Sequence, residues 1–413
     1  MKTNNKLITK GVLSAVLGLG VCSTVLAQSL ETFIKLGLEQ SPELEKLELQ
    51  YQIASERVNE VNTIPNTELG FGYFVSSPET RTGPQRFKAS VKQMMPWFGS
   101  VTAREHYAGA MADAQYEALA IAKRKLLATI SQLYYSMWSI KEKQDVLETQ
   151  LILLKTYETL ALTAVEVGKA SVVDVLKIQM RQNDIVQLKA VLEQEYLAQQ
   201  SELNLTLNRA KSEKILITER LELPAEDDLI NTEVSGLHPE LLQYDKLYES
   251  VEQSELLNQK ERSPMIGFGL DYIAVDERTD MEVPDNGKDI FMPMVSLSIP
   301  VFNKGFGSKT RQNELRKQEL TSGKQQKQNA LETVLEKAVT ARAKARITYN
   351  TQRKNLAQAK DAQDILMAGY ETGQVDFNDV LDIEELQLKF ELNKIDAILQ
   401  YYQQQTIIKY LSK

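Results

Sequence analysis

Residues able to carry covalent or metal chemistry are scarce in this chain of 413 residues, and their spacing builds no reactive site. There are two histidines, His106 and His238, and one cysteine, Cys22. A nucleophile needs its base within hydrogen-bond reach, and two distant histidines leave little from which to build such a pair. His106 lies in a charged helical stretch and His238 directly precedes Pro239, so both are expected to be solvated or capping residues. Met265, Met281, Met292 and Met294 group in one segment, where soft-metal handling is one option. Without cysteine beside them, flexible apolar filling is the expected role. Carboxylates are the remaining chemistry. Asp174 and Asp379 follow turn glycines and fall in the first turn of a helix, where the dipole favours a negative charge, and Asp382 lies about one turn further on. The run Glu226-Asp227-Asp228 after Pro224 is expected to be a solvated linker segment, not a cation site. The sequence therefore predicts no enzyme, no cofactor and no metal site.

Residues 1–27 have the form of an export signal. Lys2, Lys6 and Lys10 precede a short apolar stretch from Gly11 to Val25, and Val25-Leu26-Ala27 fits the small-residue cleavage rule. The apolar stretch falls short of the 18 or more residues expected of a spanning helix. Lipidation at Cys22 is the alternative, opposed by Val21 in front of it. A mature chain starting at Gln28 would hold no cysteine, hence no disulfide and no thiolate. Loss of the three lysines takes the formal net charge from −8 to −11. Nucleic acid is excluded as a partner, because phosphate binding needs a basic face.

What positions the aspartates is a plan written twice. Ser41-Pro42-Glu43-Leu44, Leu69-Gly70-Phe71-Gly72, Met95-Pro96-Trp97-Phe98-Gly99 and Gly168-Lys169-Ala170-Ser171 through Leu176 form one series. His238-Pro239-Glu240-Leu241, Ile266-Gly267-Phe268-Gly269, Ile299-Pro300-Val301-Phe302 and Gly373-Gln374 through Leu381 repeat it in order. Such self-similarity marks a tandem duplication. It divides the chain into a first repeat over 28–209, a linker over 210–236 and a second repeat over 237–413.

No proline occurs between Trp97 and Leu223 or between Val301 and Lys413. Proline costs about 3 kcal/mol inside a helix, so both stretches are free to be long helices. Leu126, Ile130, Leu133, Met137, Ile140, Leu147, Leu151 and Leu154 recur in steps of four and three, interrupted only at Gln144, as in a coiled-coil seam. A helix from about Ser100 to Glu166 would be ~100 Å long at 1.5 Å per residue. The second repeat predicts its counterpart over roughly Ser308 to Glu371, with a seam of Leu331, Leu335, Ala338, Ala345 and Tyr349. Gly168 and Gly373 are expected to end these helices in the left-handed conformation. A returning helix then follows each, carrying Val175, Ile178, Ile185, Leu188 and Leu192, or Leu381, Leu388, Leu392, Ile395 and Leu399.

The proline-bearing segments upstream alternate with period two. Leu69, Phe71, Tyr73 and Val75, then Phe87, Ala89 and Val91, face apolar against Lys88, Ser90 and Lys92. Ile266, Phe268, Leu270 and Tyr272, then Val295, Leu297 and Ile299, do the same against Met294, Ser296 and Ser298. Two readings fit: soluble hairpins packed on a helical core, or strands of a membrane barrel. Four strands cannot close a barrel, and lipid does not tolerate open edges. Membrane strands would therefore have to be pooled from several chains.

Together these features resemble the TolC-like outer-membrane efflux proteins over essentially the whole mature chain. Tyr370-Glu371-Thr372-Gly373 through Asn378-Asp379-Val380-Leu381-Asp382 is the closest match, with Pro96-Trp97-Phe98-Gly99 and Pro300-Val301-Phe302 as strand-to-helix corners. The resemblance implies a mainly α fold with a small membrane β part. Duplicated helical hairpins would form a trimeric tunnel across the periplasm, and four strands per chain a shared twelve-stranded barrel in the outer membrane of a Gram-negative bacterium. It implies a passive exit duct. The expected partners are outer-membrane lipid, a periplasmic membrane-fusion adaptor and, through it, an inner-membrane pump of RND or ABC type. By the same likeness Asp379 and Asp382 would be the channel gate, with Asp174 and Tyr370 in a closing contact. Gly168, Lys169, Val172, Val173, Gly373, Gln374 and Phe377 would belong to adaptor-docking tips. One departure is Val375, where the family's closed pattern has a basic residue. An exported adaptor or a coiled-coil adhesin without a pore is the competing expectation. An adaptor would carry one hairpin with β-rich flanks; an adhesin would carry uninterrupted heptads.

Overall fold

The computed structural model describes residues 29–168, 171–227, 234, 236–372 and 374–412. The expected export signal with Cys22, and the expected tip residues Lys169 and Gly373, lie outside the described residues.

Two short helices open the chain, α1 (Leu30–Gln40) and α2 (Pro42–Val61). They meet at Ser41, whose hydroxyl accepts from the Leu44 amide at 3.4 Å while Pro42 takes the first helical position, where no amide is needed. Strands β1 (Glu68–Tyr73), the two-residue β2 (Glu79–Thr80) and β3 (Gly83–Met95) follow, then the 67-residue helix α3 (Ser100–Glu166) and the returning α4 (Val172–Thr206). The second half runs α5 (Pro239–Glu261), β4 (Met265–Val275), β5 (Ile290–Ser298), the 67-residue α6 (Gly305–Glu371) and α7 (Phe377–Ser412). α3 spans the expected residues, and α6 begins three residues earlier than expected. β2 has no counterpart in the alternation, because it is two residues long and pairs with Pro84 and Gly83 opposite.

The returning helices are about half as long as the helices they return along. α4 and α7 line the tip-ward half of α3 and α6, while α2 and α5 complete the sheet-ward half. Gln115 Nε2 donates to Gln50 Oε1 on α2 at 3.1 Å. Asn258 on α5 donates to the Phe306 carbonyl and the Thr310 hydroxyl, both at 3.1 Å, and Lys327 pairs with Glu240 at 2.9 Å. α5 is thereby fixed antiparallel to α6. His238 is buried and caps α5, accepting from the Glu240 amide through Nδ1 at 3.3 Å, so Nε2 carries the proton that faces the Tyr410 carbonyl at 3.1 Å. Burial, with Arg124 adding to it, lowers its pKa and favours this neutral form.

The expected seam is the core. Ile130, Leu133, Met137, Ile140, Leu147, Leu151 and Leu154 are all buried along α3, as are Leu331, Leu335, Ala338 and Ala345 along α6. α1 crosses α3 closely enough that a Cβ at Gly37 would lie 2.4 Å from Ile130 Cδ1. The described residues of the segment after α4 carry no regular secondary structure, yet they are strapped to the core: Ile215 and Ile217 are buried, and Trp138 Nε1 donates to the Glu219 carbonyl at 3.0 Å. Asp227 in this strap departs from the solvated run expected of it. It receives Arg346 at 2.5 Å and the Tyr401 hydroxyl at 2.7 Å, and although partial burial opposes ionisation, these donors hold its carboxyl below the usual range.

Four strands form one antiparallel sheet in the order β1-β3-β4-β5. The register places Leu69 opposite Val91, Val91 opposite Leu270, Phe268 opposite Val295 and Ile266 opposite Leu297. One face is consequently apolar from edge to edge. The other face places Ser90 opposite Asp271, Lys92 opposite Gly269 and Gly267 opposite Ser296, with Lys88 ion-paired to the 1% exposed Asp271. Met292 and Met294 sit on this second face, opposite Asp271 and Gly269. Leu69, Phe71, Phe268, Val295 and Leu297 are all exposed, and the outer edges of β1 and β5 have no strand beside them among the described residues.

Candidate functional site

The α3–α4 and α6–α7 turns come together at the end of the helices remote from the sheet. At the first, Gly168 has φ +70, the left-handed value expected of it, and no atom lies within 4 Å of where its Cβ would be. A non-glycine residue there would meet only the backbone penalty, roughly 1 kcal/mol. Ser171 then starts α4 with a capping box: its hydroxyl accepts from the Val173 amide at 3.1 Å, and Asp174 Oδ2 accepts from the Ser171 amide at 3.2 Å. At the second turn the Gln374 amide returns to the Gly369 carbonyl at 2.9 Å. Asp376 begins α7 by accepting from the Asn378 amide at 2.8 Å, which holds its carboxyl below the usual range.

The sequence-assigned residues divide four ways. Val172, Val173 and Gln374 are exposed at the tips, beside exposed Val167 and Leu176. Asp379 and Asp382 are exposed on the outward side of α7, opposite the side on which Val380, Leu381 and Glu384 are buried, and the cap is Asp376 instead. Phe377 departs from its docking assignment. It is 4% exposed and packs between Tyr370, 4.9 Å between centroids, and Tyr157, 5.6 Å. An aromatic at the first position of α7 anchors the tip from beneath and offers no side chain to a partner. Asp174 is engaged by its own capping box, while the Tyr370 ring packs on Phe377 at a tilt of 51°. Burial raises the Tyr370 pKa, and the nearby charges of Asp174 and Asp376 add to it.

The seam residues of hairpin one share a core cluster with Leu381 of hairpin two, and the polar links between the hairpins come from side chains the periodicity did not single out. Lys177 Nζ on α4 donates to Asn378 Oδ1 on α7 at 2.8 Å. Arg181, one turn further along α4, donates to the Leu381 carbonyl and pairs with Asp382 at 3.1 Å and Glu385 at 3.2 Å. Beneath them Glu384, 1% exposed, joins three helices: it accepts from Tyr157 Oη at 3.0 Å and Gln150 Nε2 at 3.3 Å on α3, and from Gln363 on α6. Burial pushes its carboxyl above the usual range, outweighing these donors. Its folded pKa therefore exceeds its unfolded one. Stability is highest where the carboxyl is protonated in both states and falls as pH rises from the ordinary carboxylate range through the raised value. Glu384→Gln is expected to match the parent's thermal midpoint near pH 4, exceed it near pH 8 and flatten the dependence between; melting curves across this range are the check.

No grouping of histidine, cysteine and carboxylates suited to a metal occurs among the described residues, and no helix among them is long and apolar enough to cross a membrane. No protein-family model matches the sequence, and no curated protein matches it. Solved structures do match. The outer membrane protein VceC from Vibrio cholerae aligns over 93% of this chain and 96% of its own with a TM-score of 0.71 at 15% identity. The CmeC outer membrane channel of Campylobacter jejuni aligns over 99% of this chain and 93% of its own, TM-score 0.70, 13% identity. The open state of the Neisseria gonorrhoeae MtrE outer membrane channel aligns over 93% and 88%, TM-score 0.70, 15% identity. Coverage is near-complete in both directions, and this chain has the fold of these outer-membrane channels, as the resemblance to the TolC-like proteins implied.

Proposed function

We propose that three copies of this chain form an outer-membrane exit duct, passively conducting substrates that a periplasmic adaptor and an inner-membrane pump deliver to its helical tips. The observation that carries this reading is the sheet: one face apolar and exposed, the other polar, both outer edges bare, mounted on helices ~100 Å long. Exposed apolar area of this extent marks an interaction surface, and a lipid-facing barrel wall needs an apolar band outside and a polar lumen inside. Bare edges are compatible with lipid only when neighbouring copies pair with them, and three chains of four strands give twelve. A periplasmic adaptor or an adhesin has no use for a bare apolar sheet. The outward carboxylates of Asp379 and Asp382 on α7 support a constriction at the tips, three of each around the axis.

The duct is expected to insert into planar lipid bilayers as discrete, long-lived conductance steps that prefer cations. Protein that associates with bilayers without conducting, or conducts without a preference for either sign, would contradict the reading.

A further inference from the structure

We propose that Arg181 is a fixed counter-charge of the acidic tip and sets how strongly the duct's constriction holds cations, an inference that rests on the duct reading above. The guanidinium reaches across from hairpin one to hairpin two of the same chain. One nitrogen donates to the Leu381 carbonyl, and another stands 3.1 Å from Asp382 Oδ1 and 3.2 Å from Glu385 Oε2. It is 28% exposed, whereas Asp382 is 72% and Glu385 71% exposed, so the cation is sheltered behind the carboxylates it serves. The backbone carbonyl fixes one arm of the fork, which a flexible surface pair lacks, and a planar donor set suits this shared engagement. Lys177, one turn earlier, donates to the amide oxygen of Asn378 and acts on Asp376, away from Asp382 and Glu385.

The arrangement separates two kinds of carboxylate on one helix face. Asp379 has no ion pair within the chain among the described residues, while Asp382 and Glu385 share one arginine. On this face each chain thus brings the carboxylates of Asp379, Asp382 and Glu385 to the tip, with the Arg181 cation sheltered behind the last two. A permeant divalent cation near Asp382 is attracted by the carboxylates and repelled by Arg181 from several ångströms away.

The test uses the full-length protein in planar bilayers, with a KCl gradient for selectivity and MgCl2 as the blocking probe. Arg181→Gln is expected to raise Mg2+ affinity roughly fivefold, the factor for removing one unit charge about 8 Å from a divalent ion in an aqueous environment. Arg181→Lys should stay within about twofold of the parent. Should the single variant fail to assemble, the comparison is Arg181→Gln/Asp382→Asn against Asp382→Asn, where the pair is already broken and the same tightening is expected. Parent channels that conduct with cation preference while Arg181→Gln blocks like the parent would overturn the counter-charge and leave the duct standing. Absence of conductance in the parent would overturn both.

Discussion

Arginine at position 295 should abolish assembly in the membrane, and arginine at the very next position should not. Val295 is 74% exposed on the apolar face of β5, opposite Phe268, whereas Ser296 projects from the polar face, opposite Gly267. A cationic side chain on the lipid face of a barrel costs about 2–4 kcal/mol near the bilayer midplane. Three copies in one barrel would therefore lose roughly 6–12 kcal/mol, comparable with the whole stability of a domain. In Ser296→Arg the charge enters a face that already holds Lys88 and Lys92 and would be hydrated in the lumen. Fractionation of cells expressing each variant, with gel mobility before and after heating, checks the pair. Equal insertion of both would remove the lipid-facing assignment, and equal failure would point to a sheet that packs on protein.

The second large effect concerns conduction. Asp379→Asn/Asp382→Asn removes two carboxylates per chain, six per trimer, while keeping side-chain size. Cap loss is not at issue, because Asp376 and not Asp379 begins α7. Charged rings at a narrow lumen select ion sign and bind cations. Cation preference should therefore drop strongly and Mg2+ block weaken by an order of magnitude or more. Assembly and heat sensitivity should be unchanged. If the double variant keeps the parent's selectivity and block, the constriction lies elsewhere along the tunnel.

The parts of the fold governed by local rules were readable in the sequence, and the parts governed by contacts across the repeats were not. The span of α3 followed from an absence of proline and a heptad-like seam, and all of those seam residues except the half-buried Leu126 are buried. The two-faced sheet followed from alternation alone, and the conformation of Gly168 from its place after a long helix. Glu384 gave no such signal. A carboxylate at that spacing reads as surface, and its burial depends on Tyr157, Gln150 and Gln363 arriving from other helices. Arg181 and Asp382 are likewise 201 residues apart, and no periodicity links them. Phe377 was misplaced because position in a tip does not say which way a side chain turns; Tyr157 and Tyr370 supply the pocket. Asp227 read as part of a solvated acidic run for the same reason, its arginine partners lying more than a hundred residues away on α6.

Closure of one barrel by three chains is open to native mass spectrometry of the detergent-extracted protein. A species of three mature chains that persists in mild detergent and separates on heating is expected. A monodisperse single chain, soluble without detergent, would contradict it.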